Sequence, residues 1–130
     1  MWRMEQITIE ELCKTMKEAI SNASGLKKFY IGRTDDNLEQ RKEKHKDEES
    51  LPFTKRIAIG EESIISRAEI CLQEIFMGKD PRCMNKRKGG GQKGCTLYIS
   101  FSYETPQNID DLYDEGFEWE KVYKLKEELL

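Results

Sequence analysis

The chain has 130 residues, of which 37% are hydrophobic and 36% charged, and its formal net charge is −3. This length suits a single domain over residues 1–130, and the apolar fraction is sufficient for a modest core. No stretch approaches the roughly 18 consecutive apolar residues of a membrane span, and the N-terminus lacks the apolar run of a secretory signal, so we expect an intracellular protein of the cytoplasm or nucleus with no membrane partner.

A helix is predicted over residues 9–23, where apolar side chains recur every three or four positions. Thr8 and Glu11 form the T-x-x-E pattern of a capping box at its start, and Ser24-Gly25 supplies a stop signal. We expect this helix to be part of the scaffold rather than of a functional site.

Residues 26–34 alternate between apolar and polar side chains, which predicts a strand. Phe29 and Ile31 share the face that is directed at the core. Tyr30 and Gly32 therefore lie on the opposite, polar face of the strand. A polar turn then leads into the next helix.

A second helix is predicted over residues 38–47, and it is charged nearly all round. Leu38, Arg41, Lys42 and His45 are three or four positions apart and share one face of this helix. That face combines one apolar anchor with basic and titratable side chains, which suits the binding of an anion. The simpler alternative is a solvated surface helix.

A second strand is predicted over residues 54–59, followed by the most apolar helix of the chain, which begins near Ile64 and ends near Gly78. Glu69 lies on the border of the apolar stripe of this helix. A carboxylate there suits a divalent cation such as magnesium, which prefers hard oxygen ligands. The alternative is a glutamate at the solvent edge that pairs with a neighbouring base.

A basic, glycine-rich loop is predicted over residues 79–94. It is not a Walker A phosphate-binding loop, because the GK[ST] ending is absent. Glycine permits close approach of the backbone, and cationic side chains can contact a nucleic-acid backbone. The residues from which we predict nucleic-acid contacts are Arg33, Lys42, Asn85, Lys86, Arg87, Lys88 and Lys93. The alternative is a solvated loop.

A late strand is predicted over residues 95–103, with Tyr98 on its polar face, and a helix is predicted over residues 119–130. Residues 1–95 carry a net charge of +3 and residues 96–130 carry −6. An acidic segment can dock on a basic protein partner or cover a basic cleft of its own chain. Together the elements predict an α+β domain with a small, mainly antiparallel three-stranded sheet flanked by helices.

Four separated features resemble the pattern of the GIY-YIG nuclease superfamily. In that family a tyrosine and a glycine end a strand, and the next helix presents an arginine and often a histidine. A later helix adds a metal-binding glutamate, and an asparagine often follows it. The matching residues of this chain lie within residues 29–91 and are Tyr30, Gly32, Arg41, His45, Glu69 and Asn85. Helix 9–23 and residues 95–130 are then additions to the family pattern.

The resemblance implies a metal-dependent endonuclease that hydrolyses DNA at a single active site and nicks one strand in each encounter. Glu69 would bind Mg²⁺ or Mn²⁺. Arg41 and His45 would hold the phosphate, and Tyr30 would orient the attacking water. A double-strand break would require a homodimer or a second encounter.

The family's first strand, which carries the Gly-Ile-Tyr sequence, has no counterpart before Tyr30. We expect Tyr98 to replace its tyrosine, in a permuted sheet where the late strand takes the place of the missing one. Two alternatives stay open. The first is a catalytically silent nucleic-acid-binding module, favoured by the missing strand and by the polar Gln73 where the family tends to be apolar. The second is a regulatory domain that binds a protein through its acidic C-terminal segment.

Overall fold

The computed structural model describes residues 5–23, 25–35, 38–86, 88, 94–103 and 122–126. Within those ranges three helices accompany a five-stranded mixed sheet. In chain order the elements are β1 (Gln6–Ile7), α1 (Ile9–Asn22), β2 (Leu26–Thr34), α2 (Leu38–Glu49), β3 (Phe53–Ile59), α3 (Glu62–Phe76), β4 (Thr96–Tyr103) and β5 (Tyr123–Leu125). The α+β class predicted from the sequence is therefore confirmed.

The strand order across the sheet is β1-β5-β3-β4-β2. β4 pairs antiparallel with β2 on one side and with β3 on the other, whereas β5 runs parallel to both β3 and β1. The late strand thus lies between two strands that precede it by many residues. The three antiparallel strands expected from the sequence form the β3-β4-β2 part of this sheet.

Two strands were missing from the predicted sheet, and the helix predicted over residues 119–130 is wrong where the structure describes it. Residues 123–125 form β5, whose Tyr123 and Leu125 are buried while Lys124 is exposed. The amide of Lys124 donates to the carbonyl of Glu5 at 2.9 Å. Pairing with β3 and β1 therefore overrides the helical spacing of the apolar residues in this segment. The acidic residues 110–120 lie outside the described residues.

The core lies between the sheet and the pair α1 and α3. The capping box of α1 forms as predicted, because the amide of Glu11 donates to Thr8 Oγ1 at 3.2 Å and the amide of Thr8 donates to a Glu11 carboxylate oxygen at 3.4 Å. The fully buried side chains include Leu12, Met16, Ile20, Phe29, Ile31, Ile65, Leu72 and Phe101. Among the helices in the described part of the chain, none has the length and apolar character needed to cross a membrane.

Candidate functional site

Gly32 of β2 and Tyr98 of β4 are directly opposed in the antiparallel register. A β-carbon at position 32 would lie 2.7 Å from the Tyr98 hydroxyl and 2.9 Å from a ring carbon of Tyr30. Such distances are shorter than any stable van der Waals contact. The absence of a side chain at Gly32 therefore makes room for the two tyrosine rings on the polar face of the sheet.

Tyr98 lies beside Tyr30, with their ring centroids 6.5 Å apart. His45 of α2 completes a cluster with them. Its Nε2 and the Tyr98 hydroxyl are hydrogen-bonded at 2.8 Å, and its ring centroid lies 4.6 Å from that of Tyr30. Either group donates in this bond, according to the tautomer of the imidazole. We call Tyr30, His45 and Tyr98 the tyrosine–histidine cluster.

His45 is only 4% exposed, although α2 is charged along most of its length. Its burial is possible because both ring partners are aromatic and one of them supplies a hydrogen bond. Arg41 lies one helical turn before His45 and is half-buried, as is Lys42. His45 of the predicted shared face of α2 is therefore directed at the sheet, and Arg41 and Lys42 precede it by four and three positions on the same helix.

Glu69 lies on the opposite face of the sheet, against the end of β2. It is 3% exposed, and its Oε1 lies 3.4 Å from Nε of Arg33. The sequence predicts Glu69 at the border of the apolar stripe of its helix. The structure corrects this prediction, because the Glu69 side chain is buried in the interior. Burial raises the pKa of Glu69, and the charge of Arg33 partly opposes that rise.

The Arg33–Glu69 pair and the tyrosine–histidine cluster both include a residue of β2, namely Arg33 and Tyr30, which are three positions apart. Tyr30 and Gly32 lie on the side of α2, whereas Ile31 and Arg33 lie on the side of α3, in keeping with the alternation of side chains along a strand. The two groups therefore lie on opposite faces of the sheet. A ligand that contacts both would have to pass around the outer edge of β2, which is the last strand of the sheet.

The backbone amide and carbonyl of Ile31 are hydrogen-bonded by two side chains from outside β2. Asn85 accepts from the Ile31 amide at 2.9 Å and donates to its carbonyl at 2.8 Å. Gln73 of α3 donates to the same carbonyl at 3.1 Å. The position between Tyr30 and Gly32 is thereby tied both to α3 and to the start of the basic loop.

The predicted basic surface is only partly described. Lys86 is exposed, and Lys88 is exposed and pairs with Glu74, where Nζ and Oε1 are 3.2 Å apart. Arg87 and Lys93 lie outside the described residues. Asn85 is buried, so its predicted contact with nucleic acid is indirect at most: its amide bonds to the backbone of β2 instead.

A divalent cation would find one direct protein ligand here. No group of three or more His, Cys, Asp or Glu side chains comes together among the described residues. Oε1 of Glu69 is buried and has no hydrogen-bond partner within the described part of the chain. A single carboxylate suits Mg²⁺, which usually keeps several waters and is bound through one or two carboxylates plus substrate phosphates. The residues present therefore fit such an ion.

Two contributions to this site were not foreseen from the sequence. Gln73 lies where the GIY-YIG family tends to have an apolar residue. Its side chain is nevertheless buried, and its amide donates to the carbonyl of Ile31. Arg33 was predicted to contact nucleic acid, whereas it pairs with Glu69. The available signal was that Gln73 follows Glu69 by four positions, which puts two polar side chains on one stripe of an otherwise apolar helix face.

A scan against known protein families finds no match to this chain, and neither a curated protein nor a solved structure matches it.

Proposed function

We propose that the chain is a metal-dependent endonuclease that hydrolyses a phosphodiester bond of DNA, and that it is a divergent, permuted relative of the GIY-YIG nucleases. The observation that carries the proposal is the pairing of Tyr98 with Gly32. This pairing brings a second tyrosine, from the late strand β4, beside Tyr30, where its hydroxyl is hydrogen-bonded to His45. The cluster combines side chains that can bind and transfer a proton, and Arg41 lies one helical turn before its histidine.

The tyrosine–histidine cluster would handle the proton of the attacking water. Phenols in water lose their protons near pH 10, so Tyr30 would orient the water rather than act alone as a base. The hydrogen bond between Tyr98 and His45 provides a short route by which a proton could leave the cluster. Arg41, one helical turn before His45, would contact the phosphate as its negative charge grows.

Glu69 would hold Mg²⁺ or Mn²⁺ through its buried Oε1. A bound divalent ion supplies Lewis-acid stabilisation of the phosphate charge and of the leaving oxygen. Because the described residues offer one such carboxylate, the chain would have one active site and nick one strand in each encounter. Lys42, Lys86, Arg87, Lys88 and Lys93 would contact the DNA backbone, while Asn85 would hold the site's backbone in place.

A nucleic-acid-binding module without catalysis is the second candidate. The observation that favours it is the ion pair between Arg33 and Glu69, because a carboxylate already neutralised by an arginine has less need of a metal ion. Such a module would bind DNA in a salt-dependent manner and leave it uncut. Binding of a protein partner through the acidic C-terminal segment remains a further proposal.

Nicking of supercoiled plasmid in Mg²⁺ or Mn²⁺ tests the proposal. We expect Glu69→Gln to lower the rate by about 100-fold or more, and Arg41→Ala and Tyr98→Phe by about tenfold each. Glu18→Gln is the control, since Glu18 is an exposed glutamate of α1 outside the assigned site and should leave the rate unchanged. Equal nicking by all variants would rule out the assigned site. Salt-dependent binding without nicking by the parent chain would favour the silent module.

A further inference from the structure

Arg33 lies between two carboxylates of α3. Its Nε is 3.4 Å from Oε1 of Glu69, and its Nη1 is 4.0 Å from Oε1 of Glu62. The two glutamates are seven residues apart, which is two turns along one side of the helix. The Glu69 side chain is 4% exposed, whereas that of Glu62 is 51% exposed. The guanidinium therefore spans an inner and an outer acid.

The Nε of Arg33 contacts the inner acid as an ion pair without a hydrogen bond, whereas the backbone of Arg33 hydrogen-bonds the Glu69 carboxylate. Nε of Arg33 and Oε1 of Glu69 are both buried, and neither has a hydrogen-bond partner among the described residues. Their separation of 3.4 Å exceeds the roughly 2.7–2.9 Å of a charge-assisted hydrogen bond. Separating this pair consequently costs less than separating a bidentate arginine–carboxylate pair, and the second acid lies within reach.

We propose that Arg33 is a displaceable counter-ion of Glu69, and that it moves to Glu62 when a divalent cation binds Glu69. This inference rests on the proposed function, because it assigns regulation to the same carboxylate. A guanidinium keeps its charge at any ordinary pH, so it cannot yield to the cation by losing a proton. It has to move, and Glu62 offers a carboxylate nearer to solvent.

Glu62 then sets the metal affinity of Glu69 without being a ligand. Removing the Glu62 charge would leave the displaced guanidinium without its acceptor, so that Arg33 competes more strongly for Glu69. The same movement carries the Arg33 charge toward the protein surface. There it becomes available to a DNA phosphate, which couples the binding of metal to the binding of substrate.

Binding of Mn²⁺ to the full chain without DNA, measured by titration calorimetry or by the loss of the free-ion electron paramagnetic resonance signal, tests this movement. We expect Glu62→Gln to weaken binding by about threefold or more, and Arg33→Met to tighten it by about tenfold. In the Arg33→Met background, Glu62→Gln should change the affinity by less than about twofold. The matched control is Glu74→Gln, an exposed acid of the same helix, with an expected effect below about twofold.

Two other outcomes of these binding measurements would each overturn a proposal. An equal effect of Glu62→Gln in both backgrounds would mean simple attraction between the Glu62 charge and the cation, and would overturn the displacement while leaving the proposed site intact. Binding that Glu69→Gln does not weaken would overturn the proposed function and the displacement together. If Arg33→Met does not fold, Arg33→Lys replaces it: a single ammonium cannot span both acids, so the effect of Glu62→Gln should fall by at least about half.

Discussion

The side-chain amide of Asn85 bonds to both backbone groups of Ile31, as a residue of a neighbouring strand would. The residues just before Asn85 also bond to β2. The amide of Phe29 donates to the carbonyl of Arg82, and the amide of Met84 donates to the carbonyl of Phe29. Asn85 thus continues, with its side chain, a short stretch of pairing along the outer edge of β2. Gln73 completes the arrangement from the side of α3.

Asn85→Ala should lower the free energy of unfolding by about 1–3 kcal/mol. The substitution removes both hydrogen bonds between Asn85 and Ile31. The buried backbone amide of Ile31 then loses the oxygen that accepts its hydrogen bond. Unfolding in urea, followed by circular dichroism, measures the change. Asn22→Ala is the matched control, since Asn22 is exposed at the end of α1. A loss at position 85 no larger than that of the control would contradict the structural role.

Gly32→Ala should destabilise the chain by about 1–3 kcal/mol, because the added methyl group would overlap the rings of Tyr30 and Tyr98. Tyr98→Leu in the same chain should recover part of that loss, since it removes the nearest ring atoms. Comparison of the double variant with both single variants in urea measures the coupling. Simple additivity would mean that the two residues are not in contact.

Asp80 should make stability depend on pH through its pairing with Arg82. Their hydrogen bonds, led by the side-chain bond at 2.8 Å, hold the pKa of Asp80 below its ordinary value. The ionised form therefore stabilises the fold above about pH 4, and this contribution is lost as the pH falls through the lowered pKa. Arg82 also donates to the carbonyls of Ile20 and Ala23, so the pair anchors the end of α1.

Urea unfolding of the parent chain and of Asp80→Asn between pH 3 and pH 7 measures this contribution. We expect a difference of about 1–3 kcal/mol at pH 7 that shrinks toward pH 3. Asp47→Asn provides the control, because Asp47 is exposed on α2. A difference that stays constant across this range would show that the carboxylate charge plays no part.

Cys13 should resist alkylation in the folded protein. Burial raises the pKa of its thiol to about 11, and the thiolate is the form that reacts. At pH 8 we expect iodoacetamide to label the exposed Cys95 first and Cys13 only after the chain is unfolded in urea. Mass spectrometry of the peptides measures the order. Equal labelling rates at both cysteines in the folded chain would contradict the burial of Cys13.

Local patterns predicted the elements whose reasons are local. The capping pair Thr8 and Glu11 and the alternation along residues 26–34 each identified a helix or strand in nearly its final bounds. β5 could not be predicted in this way, because three residues carry too short an alternation. What makes Tyr123 and Leu125 a strand is pairing with residues far away in the sequence.

The same distinction between local patterns and contacts of distant residues applies to the candidate site. The spacing of Arg41 and His45 was visible in the sequence, since both lie on one helix face. The pairing of Gly32 with Tyr98 depends on the register of two strands that are more than 60 residues apart, and only the expected permutation pointed to it. The pair of Arg33 with Glu69 had no sequence signal, because a strand and a helix meet there through tertiary packing alone.

The position of β4 between β2 and β3 determines the order in which the chain can assemble. β2 and β3 border β4 rather than each other, so neither gains its antiparallel partner until residues 96–103 are available. During synthesis from the N-terminus, both strands would leave the ribosome with unpaired edges. The sheet should therefore form late and slowly for a chain of this size. Before β4 pairs with them, β2 and β3 are the segments most prone to aggregate.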